Sequence, residues 1–244
     1  MSDISVRLHS QPTKDPLVGL AGAAGFEHSR IARLSYGEKY AGVMVQDGGI
    51  GVCATLGTPY NGEPKSLRDP DYTRHDHRIV VNAYLNACIN RREACTGEGD
   101  LFDCHPFSTE TSTVMIGYFI PLVEKFRQKK IPLKVFDRHQ YDPLLTPASE
   151  LEATLEKAEV VILTSTTLAN GTFVDLIEKI SNDATVFMLG PSTPLSHKLL
   201  EYGVIRGLYG MVFEPGDEEV LNTIEQGGGT WSFGGRGKKV SLSV

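Results

Sequence analysis

The chain is poor in basic charge and cysteine, and it has no long apolar run. Its 24 Lys and Arg are outnumbered by 30 Asp and Glu, giving a formal net charge of -6 and a pI near 5.7. That balance argues against the basic face on which nucleic-acid binding depends. The main basic cluster, Lys125, Arg127, Lys129 and Lys130, closes a predicted helix, where cations complement the helix dipole. No segment approaches the roughly 18 consecutive apolar residues of a membrane span. Ser2 to Asp15 is polar, unlike a secretory signal, so a cytoplasmic protein is expected. The four cysteines, Cys53, Cys88, Cys95 and Cys104, form no C-x-x-C pair. In a reducing compartment they are expected as thiols or ligands rather than disulfides, with little support for a structural zinc site.

Familiar catalytic signatures are also missing. There is no H-E-x-x-H and no G-x-S-x-G, and Gly237-Lys238 lacks both the upstream glycine and the following hydroxyl of a phosphate-binding loop. Gly49-Ile50-Gly51-Val52-Cys53-Ala54 has G-x-G-x-x-A spacing. It sits between two strands, however, whereas a dinucleotide fingerprint must open a helix.

What is present is ordinary globular material, 41% hydrophobic and 22% charged over 244 residues, enough for one large domain or two small ones. Tyr40 to Gln46 and Ile50 to Leu56 read as a hairpin around Asp47-Gly48-Gly49. His77 to Arg91 reads as a helix, with Asp76 as a candidate cap and Asn82, Asn86 and Asn90 on one face. Thr96 to Ser108, rich in Gly, Asp and Pro, reads as a linker. From Thr113 the chain alternates strand and helix. Strands are expected at 113–119, 133–137, 160–164, 185–189 and 208–213, and helices at 121–129, 147–157, 173–180, 195–202 and 218–226. Ser149 is a candidate cap for the second of these helices. This alternation predicts an α/β fold with a parallel sheet and right-handed crossovers. The glycine-rich tail from Gly227 ends in an apolar run, suited to an edge strand or a flap.

Two of the strands run into polar loops: Val160 to Leu163 into Thr164-Ser165-Thr166-Thr167-Leu168-Ala169-Asn170, and Val186 to Leu189 into Gly190-Pro191-Ser192-Thr193. The carboxyl ends of strands in an open α/β sheet face the ligand crevice, so these loops predict one polar pocket. The same Ser, Thr and Asn residues also suit helix capping, which is compatible with anion binding. Asp137 follows Gly117 by twenty positions, where an acidic residue meets ribose hydroxyls in dinucleotide-binding folds; it also suits a surface pair with Arg138.

Val114 to Phe119, Leu163 to Thr172, Leu189 to Leu195 and Tyr202-Gly203-Val204 together resemble a Rossmann-like family described as "putative heavy-metal chelation" proteins. The resemblance covers roughly Val114 to Gly228, and more loosely the hairpin and the asparagine-bearing helix. It implies a Rossmann-like parallel sheet with helices on both faces, preceded by a small α+β domain similar to the N-terminal domain of enolase. The expected bounds are 1–95 and 110–244, with 96–109 as linker. It places a ligand site between the two, lined by Gly117, Tyr118, Phe119, Thr164, Thr166, Thr167, Asn170, Gly190, Pro191, Ser192 and Thr193. Asp137, from its position after the second strand, and Asp47, Asn82 and Asn86, from the N-terminal half, are expected to reach the same crevice.

Three readings of that site are open. The first is a metal or metal chelate, with a divalent transition metal held by His75, His77 and Cys104, near Asp76, Asp103 and His105, because imidazole and thiolate suit such ions. The same residues also read as solvated loop and linker. The second is an enzyme acting on a nucleotide-like or S-adenosylmethionine-like ligand, with His139 or His197 as candidate bases. The third is a non-catalytic anion or metabolite sensor using only hydroxyls and helix N-termini. Expected partners are a small polar or metal-containing ligand and a second copy of the chain, since C2 pairs are the commonest assembly, with neither nucleic acid nor membrane.

Overall fold

The computed structural model describes residues 15–62, 64–138 and 142–243. Helix α1 (Pro16–Ala24) comes first, with Leu17 N donating to Asp15 Oδ1 at 3.0 Å and Gly25 closing the helix at φ +65°. A three-stranded antiparallel sheet follows: β1 (Ile31–Tyr36), β2 (Tyr40–Val45) and β3 (Ile50–Ala54). The β2–β3 turn is the expected one. Gly48 has φ +87°, a conformation that glycine adopts without a Cβ penalty, and Gly49 N donates to Asp47 Oδ1 at 3.0 Å.

Helix α2 (His75–Ile89) covers this sheet and is buried at every position from Asp76 to Ala87. A helix enclosed all round must be apolar on more than one face. Ile79, Val80, Ala83 and Tyr84 pack against Val43, Val45 and Cys53, while Val81 and Leu85 join the core of the larger sheet. The contact with β3 is backbone on backbone: a Cβ at Gly51 would lie 2.1 Å from Ala87 N and 2.3 Å from Ala83 O. The helix starts two residues before the expected boundary. Asp76 is therefore not its cap but sits in the first turn and pairs with Arg74 at 2.6 Å.

The larger sheet is built from β4 (Gly97–Glu98), β5 (Thr113–Ile116), β6 (Lys134–Phe136), β7 (Val160–Thr164), β8 (Thr185–Leu189), β9 (Ile205–Val212) and β10 (Lys238–Ser243). Their spatial order is β4-β10-β9-β8-β7-β5-β6. The strands from β5 to β9 are mutually parallel, and β10 is antiparallel to both β9 and β4. The intervening helices are α3 (Leu101–Cys104), α4 (Ile120–Gln128), α5 (Leu151–Leu155), α6 (Thr166–Ala169), α7 (Phe173–Ile177), α8 (His197–Leu200) and α9 (Glu218–Glu225).

Side chains alternate across the sheet with the two-residue period of a strand. Val114, Val161, Leu163, Val186 and Met188 face α2 and α7, and Met115, Ile162 and Phe187 face α3 and α4. Both faces are covered, as a parallel sheet requires.

The segment read as a linker holds β4 and α3. Its Asp100 is an N-cap accepting from Phe102 N, and its Leu101 is fully buried. The apolar end of the tail is β10. Helix α5 is preceded by a 3-10 turn, Ala148–Glu150, and Ser149 caps neither. Helix α9 lies over the small sheet, where Arg33 donates to Asn222 Oδ1 at 2.8 Å and to Glu225 Oε1 at 3.0 Å.

Candidate functional site

After β5 the chain adds β6 on one side, then crosses back to add β7 on the other. Helices α4 and α7 consequently leave toward opposite faces. The gap outside the carboxyl ends of β5 and β7 is the topological switch point, where open α/β sheets bind ligands.

Two glycines make the walls there thin. Gly117 has φ +98°, and a Cβ on it would come within 2.8 Å of Thr164 Cβ. Gly190 has φ +133°, and its Cβ position lies 3.0 Å from Ser165 Oγ and 3.8 Å from the Phe119 ring. Thr164 Oγ1 and Thr166 Oγ1 share a hydrogen bond of 3.0 Å, and both residues are partly exposed. Ser165 is fully buried, yet its Oγ has no partner.

On the β6 side, Tyr118 N donates to Asp137 Oδ2 at 2.9 Å. Tyr118 OH donates to Asp142 Oδ2 at 2.8 Å, while Leu144 N donates to Asp142 Oδ1 at 2.8 Å. Hydrogen bonds from Leu144 N and then Tyr118 OH hold the Asp142 carboxyl below its usual range.

Other expected contacts are engaged within the protein. Thr167 Oγ1 donates to Thr164 O at 2.7 Å, and Asn170 Oδ1 accepts from Thr172 N and Oγ1. Asn82 Nδ2 donates to Ser192 O at 2.8 Å, Ala54 N donates to Ser192 Oγ at 2.9 Å, and Asn86 Nδ2 donates to Val52 O at 2.9 Å. Thr193 Oγ1 donates to Gly190 O at 2.7 Å. Asn90 Nδ2 donates to Thr193 O at 2.9 Å, and its Oδ1 accepts from Leu195 N at 2.8 Å. Asn82, Asn86, Ser192 and Thr193 are all buried; Asn82 and Asn90 fasten α2 to the loop after β8, and Asn86 fastens it to β3. Pro191 is partly exposed beside them. Asp47 lies at the hairpin tip near the turn after β9, paired with Arg91 at 3.0 Å.

The residues expected to hold a metal are not assembled into one. His75 is exposed at the start of α2. His77 is buried, with Nδ1 accepting from Asp71 N at 2.9 Å and Nε2 at 3.2 Å from Ser66 Oγ. Burial, and then Arg74, hold this imidazole below its ordinary 6.5. Cys104 is exposed at the end of α3, and α3 and α2 pack on opposite faces of the large sheet. The His105 ring lies against Phe187 and Phe107, with centroids 4.6 and 4.8 Å away. Asp103 is exposed, 3.9 Å from Lys125. Among the described residues, no three His, Cys, Asp or Glu side chains are placed to share an ion. His197 is exposed at the start of α8, and His139 lies outside the described residues.

Arg78 and Ser165 are the residues that sequence reasoning missed. Arg78 is buried, donating to Leu168 O and Ala169 O at the end of α6, to Tyr72 O and to Asp15 Oδ2. An arginine inside an otherwise apolar helical stretch was the available signal, since arginine is almost never buried without partners. Ser165, by contrast, stood unmarked in a run of hydroxyl residues.

Among the described residues no helix is long and apolar enough to cross a membrane. No curated protein matches the chain. Two crystal structures share its fold. One is a protein of unknown function from Desulfitobacterium hafniense, 17% identical, with a TM-score of 0.75 over 93% of this chain and 100% of that one. The other is a protein of unknown function from Pyrococcus horikoshii, 19% identical, with a TM-score of 0.77 over 93% of this chain and 99% of that one. Both come from the DUF364 family. The model of that family, described as "Putative heavy-metal chelation", matches residues 100–243, more than half of the sequence. The chain belongs to the DUF364 family.

Proposed function

We propose that the chain binds a small polar organic ligand outside the carboxyl ends of β5 and β7, and that a heavy-metal ion reaches it only in complex with such a ligand. The observation that carries this reading is the buried, unpartnered Ser165 hydroxyl, 3.0 Å from the Cβ position of Gly190. A buried polar group without a partner costs about 1–3 kcal/mol, which a ligand's hydrogen bond offsets. Gly190 leaves room beside Ser165, and Gly117 leaves room beside Thr164.

A bare heavy-metal ion does not fit the described residues. The groups at the switch point are hydroxyls and the carboxylates of Asp137 and Asp142, whereas soft and borderline metals prefer thiolate and imidazole. His77 uses both ring nitrogens inside the protein. A chelated ion makes no such demand, because the chelator supplies the donors.

A second reading, a nucleotide-like or S-adenosylmethionine-like substrate, is favoured by the position of Asp137 at the end of β6. Native mass spectrometry of protein purified without chelator or histidine tag separates these readings. An organic adduct, with or without metal, that is lost in Thr166→Val supports the crevice. Micromolar binding of free nickel, cobalt, zinc or copper in equilibrium dialysis, unchanged in that variant, overturns the proposal.

A further inference from the structure

We infer that Asp137 fills the anion position of the turn after β5 with its own carboxylate, so the crevice selects ligands that carry no phosphate at that turn. The inference rests on the crevice reading above and narrows its ligand class.

In α/β folds that bind phosphates, backbone N–H groups of this turn converge on the anion at the helix N-terminus. Here four of the donors are committed elsewhere. Gly117 N donates to Phe136 O at 2.8 Å. Tyr118 N donates to Asp137 Oδ2 at 2.9 Å. Pro121 has no N–H, and Leu122 N and Val123 N both donate to Phe119 O at 2.9 Å. A carboxylate in this position gains a charge-assisted hydrogen bond and a favourable place at the dipole of α4, whose N-cap residue, Phe119, makes no side-chain cap bond.

Among the described residues a second carboxylate lies close to this turn. Asp142 is tied to the same turn through Tyr118 OH. Arg138, the next residue after Asp137, is exposed. The rim is apolar: Ile120 is 61% and Leu144 58% exposed. A phosphate entering here would meet the Asp137 charge and find Gly117 N and Tyr118 N already committed. The class that fits is an uncharged or cationic molecule with an apolar portion, its polar end directed at Ser165 and Thr166.

The test is calorimetric titration of inorganic pyrophosphate and of ADP into the wild type, Asp137→Ala and Asp137→Asn, each checked for folding by circular dichroism. The wild type should show no saturable binding in the low millimolar range. Asp137→Ala should gain roughly tenfold to a hundredfold, the worth of a charge-assisted hydrogen bond. Asp137→Asn keeps an acceptor for Tyr118 N while removing the charge, so it should gain less. Equal binding by wild type and Asp137→Ala overturns the inference, and so does a folded Asp137→Ala that gains nothing. If Asp137→Ala does not fold, the absence of any gain in Asp137→Asn overturns it. A natural adduct that carries phosphate yet is lost in Thr166→Val overturns this inference alone. An adduct indifferent to Thr166→Val overturns the crevice reading, while the pyrophosphate comparison still decides the role of Asp137.

Discussion

Replacing Arg78 by alanine tests whether the N-terminal helix pair holds the site loop in place. The side chain is 5% exposed and its guanidinium donates to Leu168 O, Ala169 O, Tyr72 O and Asp15 Oδ2. The Asp15 side chain is 35% exposed, so it regains water when the arginine is removed. The carbonyls of Leu168 and Ala169, residues that are themselves buried, lose charged donors. Each such acceptor costs about 1–3 kcal/mol when left unsatisfied. Adding the lost packing of the stem gives about 3–5 kcal/mol, the range found for breaking a buried ion pair from one side. At about 2–4 °C per kcal/mol for a chain of this size, the melting midpoint should fall by roughly 10–15 °C. Asp15→Asn should cost only about 1 kcal/mol, because its partner keeps three carbonyl acceptors. Urea unfolding followed by circular dichroism measures both. Hydrogen exchange on Arg78→Lys, which keeps the charge but loses the fork, should show faster exchange across residues 165–172 than elsewhere. An Arg78→Ala loss below about 1 kcal/mol, or exchange that rises uniformly along the chain, would refute the reasoning.

Three further outcomes follow from the packing. Gly51→Ala should prevent stable folding or lower the urea midpoint steeply, since its Cβ would lie 2.1 Å from Ala87 N and 2.3 Å from Ala83 O, both backbone atoms that cannot yield locally; a midpoint near wild type would show that β3 and α2 separate easily. Asn90→Ala removes one side chain that serves Thr193 O, Met211 O and Leu195 N, and should cost about 3 kcal/mol in the same assay. His77 is held below its ordinary 6.5 by burial and then by Arg74, so the folded state binds this proton less readily than the unfolded chain. Its stabilising contribution is complete above pH 6.5 and declines as the pH falls through the lower folded value. His77→Gln should flatten that part of the stability–pH curve, and an unchanged slope would exclude the histidine as its source.

The strands of the larger sheet were legible because two-residue alternation and the polar loop that follows each apolar run are local signals. Val160 to Thr164 and Thr185 to Leu189 appear at the expected residues. Asp47-Gly48-Gly49 was legible for the same reason. What opposes a face was not legible. The four-residue spacing of Asn82, Asn86 and Asn90 places them together, but only the fold shows that Asn82 and Asn90 meet the loop after β8 and Asn86 meets β3. The 96–108 segment misled because Asp100 and the glycines around it are the caps of short elements, and capping residues have the composition of a linker. His77 misled because a histidine before an apolar run looks available, whereas moving the helix start to His75 buries its ring among Ser66 and Asp71.

The three loops at the switch point are held by different means, and this bears on how the site works. The loop after β8 is fixed by the asparagine ladder of α2, and the loop after β7 by Arg78 from the same helix. Both anchors are buried, so both loops are preorganised before any ligand arrives, which lowers the ordering cost of binding. The turn after β5 is held by Asp137 and Asp142, which are only partly buried, and its neighbours Ile120 and Leu144 face solvent. Exposed hydrogen bonds open at lower free energy than buried ones. On the proposed reading, adjustment to a ligand belongs to the turn from Gly117 to Ile120, and Ser165 and Thr166 stay rigid. Substitutions in α2 should accordingly weaken binding by displacing the hydroxyls without touching the ligand, and substitutions at Asp137 should change which ligands enter.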